Sequence, residues 1–155
     1  MTEREDEITM AQKDLIQAVN KQVANWTVLY TKLHNYHWYV KGRHFFTLHV
    51  KFEELYNEAA TIIDEFAERI LALDGKPVAT LKEYLELSSI NEASGSEKEE
   101  DMVKQLHDDF ATIVDELQEA IELAEKAEDT ATADMMTEVK MSLRKHMWMF
   151  KAYLG

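Results

Sequence analysis

The chain has 155 residues, no cysteine, one proline and a net charge of −13 at pH 7. Its length suits one domain, residues 1–155, with a sizeable core, and the lack of cysteine excludes disulfides, thiolate metal sites and thiol catalysis. The negative charge favours cations over nucleic-acid phosphates as partners. Since neither a signal peptide nor an apolar run of membrane-spanning length is apparent, we expect a soluble cytoplasmic protein.

The first half of the chain predicts two long helices. Residues 1–8 are polar and mainly acidic, so we expect a flexible N-terminus there. Apolar residues then recur at helical spacing up to a predicted helix end near Gly42. A second helix is predicted from Phe46-Thr47 to Asp74-Gly75. The two apolar stripes comprise Leu15, Ile16, Val19, Val23, Trp26, Leu29, Tyr30, Leu33 and Tyr36, and Leu48, Phe52, Leu55, Ala59, Ile62, Phe66, Ile70 and Leu73.

The second half predicts one short helix and two long ones. The capping-box pattern TLKE at residues 80–83 begins a short helix that extends to about Leu87, and residues 88–96 have the composition of a loop. Ser96 and Glu99 form a second capping-box pattern, which predicts the start of the third long helix. A break at 128–130 precedes the fourth. Their stripes comprise Val103, Leu106, Phe110, Ile113, Val114, Leu117 and Ile121, and Met136, Val139, Leu143, Met147, Phe150 and Leu154.

Four long amphipathic helices predict an all-α protein, folded as a four-helix bundle. The link at residues 75–96 is long and contains its own short helix. It can therefore run the length of the bundle and let the third long helix begin at the opposite end. This single crossover is the topology of ferritin-like bundles. The other links are short and imply antiparallel neighbours.

The second helix has another face, on which potential metal ligands stand among apolar residues. At about 100° per residue, His49, Glu53 and Asp64 lie on this face, with Glu68 at its border. The remaining acids of this helix point well away from its core stripe and are expected to be solvated: Glu54, Glu58 and Glu65.

The spacing of these ligands predicts a site shared by two chains. His49 and Glu53 form one i,i+4 pair, and Asp64 and Glu68 form another. The pairs lie roughly 16 Å or more apart along the axis, too far to share an ion within one chain. An antiparallel copy crossing near residues 58–59 would bring them together, because both pairs are equally distant from that point. We therefore expect a metal site across a two-fold axis.

Several stretches resemble the Dps family of ferritin-like proteins: residues 34–56, 64–86, 131–136 and 146–155. The most specific features are a His-Trp pair, a histidine twelve residues later and the pattern D-x-x-A-E-R. The resemblance implies a hollow homododecamer that binds Fe(II), oxidises it and stores a ferric mineral, thereby protecting the cell from oxidative damage. Hydrogen peroxide is the preferred oxidant in such proteins, and O2 is the alternative.

The resemblance also implies a set of site residues. Position 53 commonly holds aspartate in the family, whereas this chain has glutamate. Imidazole and carboxylate ligands suit iron, and zinc or manganese can occupy such a site. The implied ferroxidase centre consists of His37, His49 and Glu53 from one subunit and Asp64 and Glu68 from its mate, with Trp38 lining the site and able to pass an electron.

Three further acids lie near the break before the fourth helix: Glu125, Asp129 and Asp134. The resemblance implies that acids there line three-fold pores that admit iron, whereas a solvated turn is the plainer interpretation. Some family members bind DNA through a lysine-rich tail. Here the N-terminus carries more acid than base, so we do not expect DNA binding.

Other interpretations remain open at this stage. A single histidine or acid on a partly apolar face usually has a structural role. The remaining histidines match no family ligand position and are expected at structural or surface positions, although His44 could assist iron; they are His34, His44, His107 and His146. The chain could also form a non-ferroxidase dodecameric metal-binding or structural particle, or a bundle whose interfacial acids specify assembly. No histidine follows a glutamate at Glu-x-x-His spacing, which argues against an intrasubunit ferritin centre.

Overall fold

Five helices dominate the computed structural model, which describes residues 1–155. Helix α1 spans Glu3–Tyr39, α2 spans Phe45–Ala72, the short α3 spans Leu81–Leu87, α4 spans Glu99–Lys126 and α5 spans Thr130–Leu154. No strand is present, so the predicted all-α class is confirmed. None of the helices combines the length and apolar character that a membrane crossing would require.

The core is formed where the apolar stripes of the four long helices meet. The predicted stripe residues are buried or half-buried, except Leu154 in the last turn of α5. Their 3.6-residue spacing places them on one face of each helix, which explains why periodicity identified them. The largest fully buried side chains include Trp26, Tyr36, Phe52, Phe66 and Phe110.

The first helix begins earlier than composition predicted. The backbone N–H of Glu5 donates to Thr2 Oγ1 at 3.2 Å, and the Glu5 carboxylate accepts from the backbone N–H of Thr2 at 2.7 Å. This capping box satisfies two N–H groups that lack helical partners, and the acids Glu3 and Asp6 suit the positive end of the helix. Residues 3–8 are therefore helical, in contrast to the flexible N-terminus expected for residues 1–8.

The predicted capping box at the start of α4 is wrong. At residues 80–83 the predicted N-cap is confirmed, because Thr80 Oγ1 accepts from the Glu83 N–H at 3.2 Å, but the Glu83 carboxylate accepts from the Thr80 hydroxyl rather than from its backbone N–H. Lys98 occupies the N-cap position, and its backbone N–H donates to Asp101 Oδ2 at 3.0 Å. The backbone N–H of Ser96 instead donates a hydrogen bond to Ser94 Oγ in the loop, at 3.3 Å. Glu99 is likewise unavailable for a box, because its carboxylate accepts hydrogen bonds from outside its own helix.

Glu99 closes the end of the bundle where α1 turns into α2. Its carboxylate accepts a hydrogen bond from the backbone N–H of His44 at 3.2 Å and contacts His44 Nδ1 at 2.8 Å. Gly42 has φ +128°, and a side chain there would collide with this carboxylate. Glycine is therefore required for both the backbone conformation and the close approach.

The helix directions confirm the predicted crossover. The C-terminal half of α1 contacts the N-terminal half of α4, where Lys32 pairs with Asp109. Hence α1 and α4 are antiparallel. Helix α2 is also antiparallel to α1, because His37 lies beside His49 near the turn that connects them. Helices α2 and α4 consequently point the same way, so the link between them must run the length of the bundle.

Polar side chains of α1 hold this link along its path. Asn20, Asn25 and Lys32 each bind backbone groups of the link, and the latter two are buried. Their backbone partners follow in the same order along the chain: Lys76 and Val78 for Asn20, Ser89 for Asn25, and Asn91 for Lys32, at 2.7–3.0 Å. The link therefore runs parallel to α1, and outside the short helix α3 these backbone groups are satisfied by side chains of α1 rather than by secondary structure.

The Lys32–Asp109 pair yields a stability prediction. The pair is separated by 2.7 Å, with side chains 1% and 8% exposed, and burial raises the pKa of Asp109 despite the adjacent ammonium. Lys32→Ala leaves a buried carboxylate without its partner, so we expect the free energy of unfolding to fall by about 3–5 kcal/mol. Urea denaturation followed by circular dichroism measures this at fixed protein concentration.

The matched control is Lys82→Ala. Lys82 is 86% exposed and lies 4.0 Å from Glu86. Its loss should change the free energy of unfolding by less than about 0.5 kcal/mol. Equal effects of the two substitutions would show that the buried pair does not stabilise the bundle.

Glu97 yields a pH prediction. Partial burial favours its neutral form, but hydrogen bonds from Ser94 and Tyr36 lower the pKa of Glu97 from 4.5 to about 2. A lowered pKa means that this carboxylate stabilises the fold above pH 4.5, and that the contribution is lost as the pH falls towards 2. As the pH falls from 4.5 to about 2, the free energy of unfolding of Glu97→Gln should therefore decrease less steeply than that of the wild type. Glu119 is exposed and has no side-chain hydrogen bond, so Glu119→Gln should follow the wild-type profile. Identical acid-unfolding profiles for all three proteins would contradict this assignment.

Candidate metal centre

Two predicted ligands, His37 and His49, face each other where α1 ends and α2 begins. Their rings stack with centroids 3.7 Å apart and planes 10° apart. His37 Nδ1 lies 2.6 Å from the carbonyl oxygen of His49, and His49 Nδ1 lies 2.7 Å from that of His37. Because a carbonyl only accepts, each Nδ1 carries a proton, and each Nε2 presents a lone pair for a metal ion.

The third predicted ligand, Glu53, lies one turn beyond His49 on α2. Its carboxylate is exposed and accepts a hydrogen bond from the Tyr56 hydroxyl at 3.2 Å. Desolvation of the phenol and the adjacent carboxylate raise the pKa of Tyr56, so the hydroxyl remains a donor. The Tyr56 ring in turn stacks on His34, with centroids 3.9 Å apart, and meets the edge of His37 at 5.3 Å. Tyr56 thus connects Glu53 to the histidine pair, although the three predicted ligands do not by themselves form a metal-binding group within one chain.

The other two predicted ligands, Asp64 and Glu68, lie further along α2. Both are exposed, and neither takes part in a side-chain hydrogen bond or ion pair within the chain. No group of three or more histidine, aspartate or glutamate side chains within one chain is arranged to hold a metal ion. The assignment of Asp64 and Glu68 to a partner chain stays a prediction.

The predicted solvation of Glu58 is wrong, whereas Glu54 and Glu65 are exposed as expected. Glu58 accepts hydrogen bonds from Ser142 Oγ at 2.5 Å and from His146 Nε2 at 2.8 Å, both on α5. Partial burial alone would raise the pKa of Glu58, but these hydrogen bonds outweigh it and lower the pKa. The residue therefore joins α2 to α5, a role that helical periodicity could not distinguish from solvent exposure.

At the height of the expected crossing point, residues 58–59, the residue on the outward face of α2 is Ala60. Ala59 is fully buried in the chain's own core, whereas Ala60 is exposed. Around Ala60 lie the half-buried Ile63 and Ala67, followed by Leu71, which is 58% exposed. Asp64 lies on the same face. An exposed face that mixes small and apolar residues with acids suits contact with a second protein surface.

The four histidines outside the predicted ligand set all have partners within the chain, as a structural role requires. His34 Nδ1 contacts the Tyr30 carbonyl at 2.9 Å, and His107 lies 3.4 Å from Asp108. The partners of His44 and His146 are Glu99 and Glu58, described above. Trp148, on α5, is 68% exposed. Trp38, the predicted electron carrier, is 67% exposed beside His37.

The three candidate pore acids meet at the α4–α5 turn. Glu125, Asp129 and Asp134 line one shallow depression. Asp129, however, is the N-cap of α5, and it accepts hydrogen bonds from the Thr132 N–H and from Arg69, each at 3.0 Å. Partial burial alone would raise the pKa of Asp129, but these contacts outweigh it and lower the pKa. Asp129 therefore has a capping role that differs from the implied pore role.

Comparison with known proteins identifies the class. The family model of the ferritin-like domain matches residues 16–155. The chain is 61% identical to General stress protein 20U of Bacillus subtilis, covering 92% of this chain and 99% of the relative. It is 56% identical to DNA protection during starvation protein 2 of Bacillus anthracis, covering 92% of this chain and 98% of the relative.

Solved structures give the same result. The crystal structure of Dps from Staphylococcus aureus superposes with a TM-score of 0.92 at 56% identity, covering 93% of this chain and 97% of that one. A Dps protein from Vibrio cholerae, described as a member of the ferritin-like diiron-carboxylate superfamily, has a TM-score of 0.91 at 34% identity, with 95% and 92% covered. The fold thus places the chain among the ferritin-like proteins. Within that class the chain belongs to the Dps family, as its motifs predicted, and this membership supports a role in iron storage.

Proposed function

We propose that the protein binds Fe(II), oxidises it at a centre shared between two chains, and stores the ferric product inside a hollow homododecamer. The observation that carries this proposal is the reciprocal His37–His49 pair. Two stacked imidazoles with both Nδ1 atoms bonded to carbonyl groups present two Nε2 atoms in a fixed orientation. Backbone hydrogen bonds of this kind fix the tautomer and ring orientation of metal-binding histidines.

The proposed donor set combines imidazole nitrogen with carboxylate oxygen. His37, His49 and Glu53 come from one subunit, and Asp64 and Glu68 come from its mate. Nitrogen ligands suit ferrous iron, and hard carboxylate oxygens favour the ferric product. The same donors accept zinc or manganese, which would then compete with iron.

The outward face of α2 supports a shared centre. The exposed Ala60 allows the backbone of a second helix to approach closely, and Ile63, Ala67 and Leu71 provide apolar area on the same side. An antiparallel copy across a two-fold axis would place Asp64 and Glu68 against the other chain's His49 and Glu53. Two centres per dimer follow from the symmetry.

In the proposed oxidation, two ferrous ions supply both of the electrons that hydrogen peroxide requires. One hydrogen peroxide molecule takes one electron from each of two ferrous ions, takes up two protons and yields two water molecules. Hydrogen peroxide is the preferred oxidant, and O2 can replace it. Trp38 lies beside His37, with its ring 5.3 Å from His34, so it can pass an electron to the centre.

Iron would enter near the α4–α5 turn. Three-fold symmetry would arrange Glu125 and Asp134 in rings, and rings of carboxylates concentrate cations at a pore. Asp129 would contribute indirectly, because its contacts with Arg69 and Thr132 fix the start of α5.

Gel filtration after addition of Fe(II) and hydrogen peroxide tests the function, with protein and ferric absorbance recorded together. We expect iron to co-elute with a particle of about twelve subunits. In His37→Ala/His49→Ala the particle should persist while the initial oxidation rate falls by at least about tenfold, since metal-site substitutions have effects of this size. His107→Ala, which removes a histidine outside the site, is the matched control.

A large particle that fails to retain iron would instead indicate a non-ferroxidase dodecameric particle. A small species without iron would contradict the shared centre. Oxidation at the wild-type rate in the double variant would show that iron is oxidised elsewhere in the molecule.

DNA binding is not part of the proposed function. The chain carries 30 acidic and 17 basic residues, and Arg4 near the N-terminus already pairs with Glu128. Phosphate contacts require clustered, available cations. A gel-shift assay at low salt without added metal should therefore show no retardation of duplex DNA, and tight retardation would contradict this expectation.

A further inference from the structure

Tyr56 is the only side chain in this molecule that forms a hydrogen bond with the candidate ligand Glu53. We propose that Tyr56 is a positioning residue, which restricts the orientation of the Glu53 carboxylate before metal binds and connects it to the His37–His49 pair through the contact of its ring with His37. The inference rests on the proposed function, because it assumes that this region receives a metal ion. Tyr56 is not among the ligands that were predicted from the sequence.

The hydrogen bond joins a packed donor to an exposed acceptor. The Tyr56 ring is stacked on His34 at 3.9 Å and meets Tyr30 edge-on at 6.2 Å, with planes 82° apart. A third contact, with the edge of His37, connects it to the histidine pair. Glu53, by contrast, is an exposed side chain on the helix surface. The hydrogen bond therefore attaches a flexible carboxylate to a ring that is fixed by its neighbours.

His34 is fixed in turn, which explains its position near a site where it is not a ligand. Its Nδ1 donates to the Tyr30 carbonyl at 2.9 Å, one helical turn earlier. The orientation of this ring determines where Tyr56 can stack. A continuous series of contacts thus runs from the backbone of α1 through His34 and Tyr56 to Glu53.

Positioning matters because a glutamate side chain has three torsion angles that must be fixed when its carboxylate binds a metal ion. A free glutamate loses that rotational freedom when it binds a metal ion, which weakens binding. With Oε1 engaged by the Tyr56 hydroxyl, much of this freedom is lost on folding instead, and Oε2 stays available as a ligand. Preorganisation of this kind increases affinity without adding a contact to the metal.

Titration calorimetry with Zn²⁺ on the metal-free assembled protein tests the inference independently of iron oxidation. Tyr56→Phe keeps the ring and removes only the hydroxyl. We expect the Zn²⁺ affinity that depends on His37 and His49 to fall by about fivefold to tenfold, the size expected for one supporting hydrogen bond. Tyr84→Phe is the matched control, since the Tyr84 hydroxyl lies on α3 and has no hydrogen-bond partner in this chain, and it should bind as the wild type does.

A double-mutant cycle separates positioning from packing. In a Glu53→Ala background, Tyr56→Phe should cause no further loss of affinity, because the group that it positions is absent. An equal loss in both backgrounds would overturn the inference and indicate that Tyr56 acts through the rings. Wild-type affinity in Tyr56→Phe would also overturn it, while leaving the proposed function intact.

The same titration distinguishes the two proposals. If wild-type protein and His37→Ala/His49→Ala bind Zn²⁺ identically, the metal centre itself is wrong, and the role of Tyr56 is overturned with it. If only the histidine variant loses binding while Tyr56→Phe does not, the centre stands and Tyr56 has no positioning role.

Discussion

The path of the link between α2 and α4 is the constraint on which the rest of the structure depends. Since α2 and α4 point the same way, α1 must bind the link, through side chains from Asn20 to Lys32, as well as its two helical neighbours. Lys32 makes this possible, because its ammonium binds the link at Asn91 and α4 at Asp109. Because both partners are buried, any arrangement that separates them leaves an unpaired buried charge, so the pair favours the arrangement in which the three segments meet.

That arrangement determines the geometry of the candidate centre. Helix α4 must begin beside the α1–α2 turn for Glu99 to bind the backbone at His44. The turn, closed over Gly42, then sets the end of α1 against the start of α2 at the register in which His37 meets His49. At that register each ring forms a hydrogen bond with the carbonyl group of the other residue. The histidine pair is thus a consequence of a topology that is fixed elsewhere in the bundle.

The sequence predicted the parts of this molecule that follow from periodicity and left out those that depend on contacts across the bundle. Four apolar stripes, the crossover and the TLKE cap were predictable because each is encoded within a short segment. The roles of Lys98 and Glu99 were not, since Glu99 binds a turn 55 residues away rather than its own helix. Glu58 was assigned to solvent because a helical projection contains no information about α5. For the centre, spacing grouped His49 with Glu53, but no pattern could show the reciprocal hydrogen bonds or the contact with Tyr56.

In the proposed dimer, assembly and metal binding are coupled through the acids of α2. Asp64 and Glu68 have no partner within the chain, and the two-fold axis would bring them close to Glu53 of the other copy. Carboxylates gathered at an interface repel one another unless cations lie between them. A metal ion that binds only to the assembled pair must therefore stabilise that pair by its own binding free energy. By the same linkage, Tyr56 would favour assembly as well as affinity, because a carboxylate whose orientation is already restricted binds more tightly the cation that offsets this repulsion.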